Sequence, residues 1–209
     1  MKNIKTKDAY NAWAKTYDSV INKTRDLDTE ALRSVLADIK PKTILEIGCG
    51  TGKNTEWLKT QCDTMISIDF SKEMLAIAKE KVTDSKVTFK QADITKNWRF
   101  GKSQLITCNL VLEHVENIDF IFQQAAKSLS KKGHFFLCEY HSFRQYQGKG
   151  AKFEQNGKTL LLEYFVHHIS HFYQAATRNG FVCTDLKEWF DDKGRAQTPR
   201  LVSFLFQKK

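Results

Sequence analysis

Glu46 stands two residues ahead of Gly48, Gly50 and Gly52 in the stretch "LEIGCGTG", so a carboxylate adjoins a turn built on three glycines. Such a turn lets a ligand approach bare backbone. Two phosphate-binding patterns fail here. A dinucleotide fingerprint needs G-x-G-x-x-G, and Lys53 occupies the place of its third glycine. A P-loop needs G-x-x-x-x-G-K-[ST], which this stretch does not contain. A carboxylate at position 46 would repel a pyrophosphate and attract an ammonium group.

Two further acids extend the pattern. Asp69 closes the apolar run "TMISID", roughly 20 residues beyond the first glycine, where an acid can accept from both ribose hydroxyls. Asp93, in "QAD", can accept from an exocyclic amine such as that of adenine. Ile94 beside it offers a main-chain donor and an apolar wall. Adenine, an unphosphorylated ribose and a cationic tail, without pyrophosphate, describe S-adenosylmethionine.

These residues need a scaffold that brings strand ends together. Short apolar runs ("TILEI", "TMISID", "KVTFKQAD", "QLITCNL", "HFFLCEY") alternate with helical patterns. That rhythm predicts a parallel sheet covered on both faces. "KNTEWLKTQ" is expected to be helical. So is "SKEMLAIAKEKV", with Ser71 as its cap and Met74, Ile77, Ala78 and Val82 on its buried face. "IDFIFQQAAKSLS" is read as a helix closed by Lys132-Gly133. Further on, Asn156-Gly157 signals a two-residue hairpin. "SHFYQAATRNG" reads as a helix capped by Ser170 and stopped by Gly180. "FVCTDLKEWF" and "RLVSFLF" are joined by too short a link for a helical crossover, so they form an antiparallel pair. The expected architecture is α/β, a doubly wound, seven-stranded sheet, mostly parallel with one antiparallel strand near the edge.

In "ILEIGCGTG", "SIDFSKEML", "KQADI" and "CNLVLEHV" the chain resembles the class I S-adenosylmethionine-dependent methyltransferases, specifically the small single-domain kind of quinone and small-molecule pathways. The four motifs stand in the family's order and spacing over residues 40 to 140. The resemblance implies a Rossmann-like fold and S-adenosylmethionine as cofactor. It implies that Glu46 and the turn Gly48, Cys49, Gly50, Thr51 and Gly52 hold the methionine part. Asp69 would take the ribose, Phe70 and Met74 would lie against the adenine, and Asp93 and Ile94 would read its edge. Asn109 and Leu110 would line the methionine side. Tyr10, Trp13 and Tyr17, in "YNAWAKTYD", resemble the lid of such enzymes and would face the substrate. The implied single domain has a helical lid at 1–40, a cofactor core at 41–140, a loop and hairpin over the substrate at 141–169, and a closing helix and strand pair at 170–209.

Methyl transfer to an oxygen or an acidic carbon also needs a base. His141 follows the fifth strand, and His167 and His168 end the hairpin arm. These three are the candidate bases, while His114 and His171 read as inert. The spacing of His167 and His171 suits two metal ligands on one helix, but no third ligand motif accompanies it, so no metal is expected. Arg144 and Tyr146 leave the strand edge where such sheets bind ligands. Arg144 could grip an anionic group on the substrate.

Composition sets the outer bounds. The 209 residues suffice for one good core, and 41% hydrophobic with 27% charged residues is ordinary for a globular domain. Five scattered cysteines without a Cys-x-x-Cys pair predict a reducing, cytoplasmic setting. No apolar run predicts a signal peptide or a membrane span. The net charge of +9 comes from dispersed lysines, so solubility rather than a specific nucleic-acid partner is expected. The reading is a small-molecule methyltransferase, oxygen acceptor first. The alternatives are an RNA or protein methyltransferase, or an inactive cofactor-binding subunit. "NLVLEH" stands where base-modifying enzymes carry an Asn/Asp-Pro-Pro-aromatic motif.

Overall fold

The structure is a computed structural model that describes residues 6–150, 152–155, 158–191 and 198–209. It opens with helices α1 (Thr6–Tyr17) and α2 (Lys23–Val35). Then follow β1 (Thr43–Ile47), the short α3 (Thr55–Leu58), β2 (Thr64–Asp69), α4 (Lys72–Lys81), β3 (Val87–Gln91) and β4 (Ser103–Asn109). Next come α5 (Ile118–Ser128), β5 (Leu129–Tyr140), α6 (Ser142–Tyr146), and the hairpin of β6 (Lys152–Gln155) and β7 (Lys158–Leu161). The chain finishes with α7 (Ile169–Arg178), β8 (Phe181–Trp189) and β9 (Leu201–Lys208).

Seven strands form one sheet in the order β3-β2-β1-β4-β5-β9-β8. β9 runs antiparallel to both neighbours and all the other pairings are parallel. The expected fold class, Rossmann-like with one antiparallel strand next to the edge, is what the structure has. Chain order reverses at β1, so the carboxyl ends of β1 and β4 flank the crevice where such sheets bind ligands. The hairpin register, Gln155 opposite Lys158, leaves two residues for its turn. The expected turn residues, Asn156-Gly157, lie outside the described residues.

The near-continuous apolar strands follow from burial on both faces. On one face Leu45, Ile106, Phe135 and Phe206 pack under α5 and α7 through Phe122 and Phe172. Phe122 meets Phe135 and Phe206 edge-on at 5.4 Å each. On the other face Ile44, Leu105 and Phe136 pack under Ala31, Leu32 and Leu36. α2 is therefore a core helix, while α1 lies over the cavity at the strand ends through Tyr10 and Tyr17.

Several local expectations are corrected. α5 stops at Ser128, four residues before Lys132-Gly133, because Leu129 already pairs with Ser103. Residues 130–133 bulge out before Leu105 meets His134. Lys132 takes a positive φ of 60°, and a Cβ on Gly133 would lie 3.0 Å from two carbonyl oxygens. The open carbonyls at the end of α5 are capped by lysines instead, Lys102 on Lys127 O at 2.6 Å and Lys208 on Leu129 O at 2.9 Å. Ser170 is the second residue of α7, whose cap is His168 without a side-chain bond. The helix expected over "KNTEWLKTQ" is only α3 and a following 3-10 turn. Ser71 caps α4 through Met74 N at 3.1 Å as expected, with Leu75 rather than Ile77 on the buried face.

Candidate active site

The turn after β1 is pinned to β2 by Gly48 N and Cys49 N, which both donate to Ile68 O, at 2.8 and 3.0 Å. Gly48, Gly50 and Gly52 all take positive φ (69°, 54° and 83°), which L side chains avoid. A Cβ at Gly48 would meet Val111 Cγ2 at 2.2 Å. One at Gly50 would project into open space within 4 Å of nothing. Gly50 thus presents bare backbone to a cavity bounded by the strand ends.

Glu46, Asp69 and Asp28 form the acidic floor of this cavity, only 4%, 7% and 3% exposed. Glu46 Oε2 accepts from Thr55 Oγ1 at 2.6 Å and Ser67 Oγ at 2.8 Å, which leaves Oε1 as the acceptor towards the cavity. Asp69 accepts Gly50 N (2.9 Å) on one oxygen and Ser71 N (2.8 Å) on the other, so it also shapes the glycine turn. Each carboxylate oxygen keeps a second lone pair. Burial pushes Glu46 up to about 7, with Asp69 and Asp28 adding repulsion, and burial pushes Asp69 up to about 6. These three buried acids share the wall with two cations, Arg25 and Lys53, and Lys53 is paired with Asp26 outside it.

Phe70, Met74, Asp93, Ile94, Asn109, Leu110, Cys49 and Thr51 join the same walls, whereas Gly52 packs against Ala78 and Val82 behind the turn. Asp93 sits exposed at the rim, its Oδ1 accepting from Thr95 N at 2.9 Å. Leu110 takes a positive φ of 56° at the end of β4, an unusual conformation for leucine and one concentrated at ligand sites.

α1 forms the roof. Tyr10 and Tyr17 line the cavity, and Trp13 faces a second, adjoining one to which both tyrosines also belong. Polar latches hold the roof down: Asn11 Oδ1 accepts from Ser71 Oγ at 2.7 Å, and Asp18 Oδ1, just past the helix, accepts from Thr51 Oγ1 at 2.8 Å.

The histidines fall differently from the sequence expectation. His141 caps α6, its Nδ1 accepting from Phe143 N at 3.1 Å while Nε2 bonds Glu188 at 3.0 Å. His167 Nε2 donates to Val115 O at 2.7 Å. His168 bonds the hydroxyl of Tyr146, which is itself 55% exposed. Arg144 donates to Pro199 O, Thr198 O and Asp191, fastening α6 to the segment before β9. His141, His167, His168, Arg144 and Tyr146 line neither cavity. Capping and loop-fastening engage polar atoms of these residues, so the structure does not bring them together with the acids of the cavity.

His114, expected to be inert, does line the first cavity. Its Nδ1 lies 2.9 Å from Glu163 O, an acceptor only, so Nδ1 carries the proton. Nε2 is then basic and receives the Tyr10 hydroxyl at 3.0 Å. Burial depresses the imidazole below its ordinary range and raises the Tyr10 hydroxyl well above its own, so both are neutral near pH 7.

Asp28 was missed as well. It accepts Asn109 Nδ2 at 2.6 Å and Asn54 Nδ2 at 2.9 Å. The signal existed, since Asp28 falls on the helical stripe of Ala31, Leu32 and Leu36, an acid on a buried face. Among the described residues no group of three or more His, Cys, Asp or Glu side chains is arranged to hold a metal, and no helix is long and apolar enough to cross a membrane.

The family model described as "Methyltransferase domain" matches residues 21–192. The chain is 28% identical over 138 residues to a malonyl-[acyl-carrier protein] O-methyltransferase of Priestia megaterium, covering 64% of this chain and 50% of that one. It is 31% identical over 109 residues to a ubiquinone biosynthesis O-methyltransferase of Pelagibacter ubique, covering 51% and 45%. It thus spans about half the length of these relatives. Its fold is similar to that of the N-methyltransferase NodS of Bradyrhizobium japonicum in complex with S-adenosyl-L-homocysteine, with a TM-score of 0.73, 16% identity, and coverage of 98% and 99%.

Proposed function

We propose, because this chain belongs to the methyltransferase-domain family, that it transfers a methyl group from S-adenosylmethionine to a small-molecule acceptor, with an oxygen atom as the receiving group. S-adenosylmethionine is its methyl donor, and the sulfonium supplies an already activated leaving group. The observation that carries the reading is the buried acid set around the bare glycine turn. Gly50 leaves room where a Cβ would intrude, and Glu46, Asp28 and Asp69 complement a cationic, hydroxyl-bearing ligand. Glu46 would hold the ammonium end, Asp69 the ribose, and Asp93 with Ile94 the adenine edge.

The protein has two tasks left: to orient the acceptor and to take its proton. Tyr10 and His114 supply a proton path. As the Tyr10 oxygen takes the acceptor's proton, its own proton passes to His114 Nε2, already 3.0 Å away. The resulting imidazolium keeps its Nδ1 bond to the Glu163 carbonyl.

Two measurements test the donor site. Asp69→Ala removes an acceptor for two hydroxyls and loosens the glycine turn. It is expected to weaken S-adenosylmethionine binding by about 1–3 kcal/mol, the cost of losing hydrogen bonds to a charged group. Calorimetric titration showing equal affinities would defeat the assignment.

The second measurement varies pH on the wild type. A cation favours ionised Glu46 and Asp69, whose pKa values of about 7 and 6 in the free protein would fall on binding. A protonated carboxyl neither attracts the cation nor accepts as well. Affinity should therefore rise from pH 5.5 to 7, with proton release seen as a binding heat that depends on the buffer. A flat or falling profile across that window would mean that these acids do not face the cation.

A further inference from the structure

The second cavity has a volume of about 370 Å³, which suits a molecule of metabolite size. Tyr10, Tyr17, Arg25 and Leu110 belong to its wall and to that of the donor cavity, so the two spaces meet there. Their charges are opposite. Among the described residues the donor cavity carries Asp28, Glu46, Asp69 and Asp93 against Arg25, which it shares, and Lys53, which is tied to Asp26 at 2.5 Å. Among the described residues the second cavity carries Lys23, Arg25 and Arg200 against one acid, Glu113. Burial pushes Glu113 up to about 7, as it does Glu46 in the donor cavity, so near neutrality it carries part of a charge against three cations.

Among the described residues neither arginine has a carboxylate to itself, since Asp18 also pairs with Lys81 and Asp191 with Arg144. Arg25 donates to the carbonyls of Tyr17 at 2.5 Å and Val20 at 2.8 Å, and it pairs with Asp18 at 4.0 Å. The carbonyls fix the guanidinium without cancelling its charge, and the Tyr17 ring lies 4.1 Å from it. Arg200 pairs with Asp191, but so does Arg144, so two cations share one carboxylate. Arg200 Nη1 donates to the neutral Thr24 hydroxyl at 2.9 Å. Between these ends the wall is aromatic: Tyr10, Trp13 and Tyr17 with Tyr140. Trp13 and Tyr17 meet edge-on at 4.8 Å. Ile21, at the mouth, is 92% exposed, an apolar surface that a ligand would cover.

We infer that this second cavity is the acceptor site and that it takes a small, flat or apolar molecule bearing an anionic group, whose charge is read by Arg25 and Arg200. The inference rests on the donor-site reading above. Opposite potentials in adjoining cavities sort the two reactants, the cationic donor on the acidic side and the anionic acceptor on the basic side. Trp13 and the tyrosines would stack on the ring or chain, and the arginine end would fix which atom faces the donor.

The test uses three probes of one shape in the presence of S-adenosylhomocysteine: 3-phenylpropionate, 3-phenylpropionamide and 3-phenylpropylamine. Binding is followed by calorimetry and by tryptophan fluorescence, with Trp13→Phe identifying the signal. The acid should bind at least about tenfold tighter than the amide, the margin of one hydrogen-bonded charge, and the amine should not bind. Arg25→Gln and Arg200→Gln should each shrink the acid's advantage. Because the charge series runs on the wild type, misfolding of Arg200→Gln leaves the test intact. An amide as tight as the acid, a preferred amine, no binding by any probe up to millimolar concentration, or an advantage untouched by both substitutions overturns the inference. Failure of S-adenosylhomocysteine to bind counts against the donor site instead, and the probe series run without it still decides the charge preference.

Discussion

Replacing His114 by alanine is expected to lower kcat by about 10²–10⁴-fold, the usual contribution of a positioned general base, while S-adenosylmethionine affinity stays unchanged. The expectation follows from one proton. Because Glu163 O can only accept, Nδ1–H is committed and Nε2 is the basic atom at the cavity. To act, the imidazole must be neutral, and burial sets its pKa below the ordinary range. At saturating donor, the wild-type rate should therefore fall as the pH drops through that depressed value, below about 6.5, and hold level above it. The variant should lose this limb. Tyr10→Phe should fall in the same direction, since it removes the relay hydroxyl. His141→Ala, His167→Ala and His168→Ala should keep the rate, because their ring nitrogens bond Glu188, Val115 O and Tyr146 away from both cavities. The acceptor comes from a screen of phenols and small hydroxy acids against methyl-labelled donor. If His114→Ala turns over at the wild-type rate, orientation alone carries the reaction.

Two alanine substitutions in the glycine turn should fail in different ways. Gly48→Ala forces an L side chain into left-handed backbone, about 1–2 kcal/mol, and drives its Cβ to 2.2 Å from Val111 Cγ2. Overpacking of that kind adds about 1–3 kcal/mol, so Tm should drop on the order of 10 °C. Gly50→Ala meets the backbone cost alone, since nothing lies within 4 Å of its Cβ. It should melt only a few degrees low, yet lose donor affinity, because the methyl group occupies cavity space. Adding Val111→Ala to Gly48→Ala separates the two costs: the steric part should return and the backbone part should not. Equal melting of the two single variants would show that Val111 moves aside freely.

What could be read beforehand depended on how local each feature is. The glycine turn, Glu46, Asp69 and Asp93 stand at strand ends that one parallel sheet must align, so short motifs sufficed. Asp28, Arg25 and Arg200 reach their cavities only because α2 packs under the sheet and β9 returns beside it, contacts between residues far apart in sequence. His141 and Arg144 were placed at the right edge of the sheet, but nothing in their spacing revealed that a helix cap and a loop carbonyl would take their polar atoms. Lys132-Gly133 looks like a helix stop in the sequence, whereas the positive φ of Lys132 serves a bulge in the following strand.

The position of β9 bears on how the protein is made. Residues 201–208 leave the ribosome after every other strand, yet they belong in the interior of the sheet between β5 and β8. At about 5–20 residues per second, the earlier strands wait with the flank of β5 from His134 to Tyr140 unpaired. An open apolar strand edge is a template for pairing with a neighbouring nascent chain. The sheet therefore keeps this open edge until residues 201–208 arrive, and the step that removes it is the insertion of a strand between two others rather than the addition of one more layer.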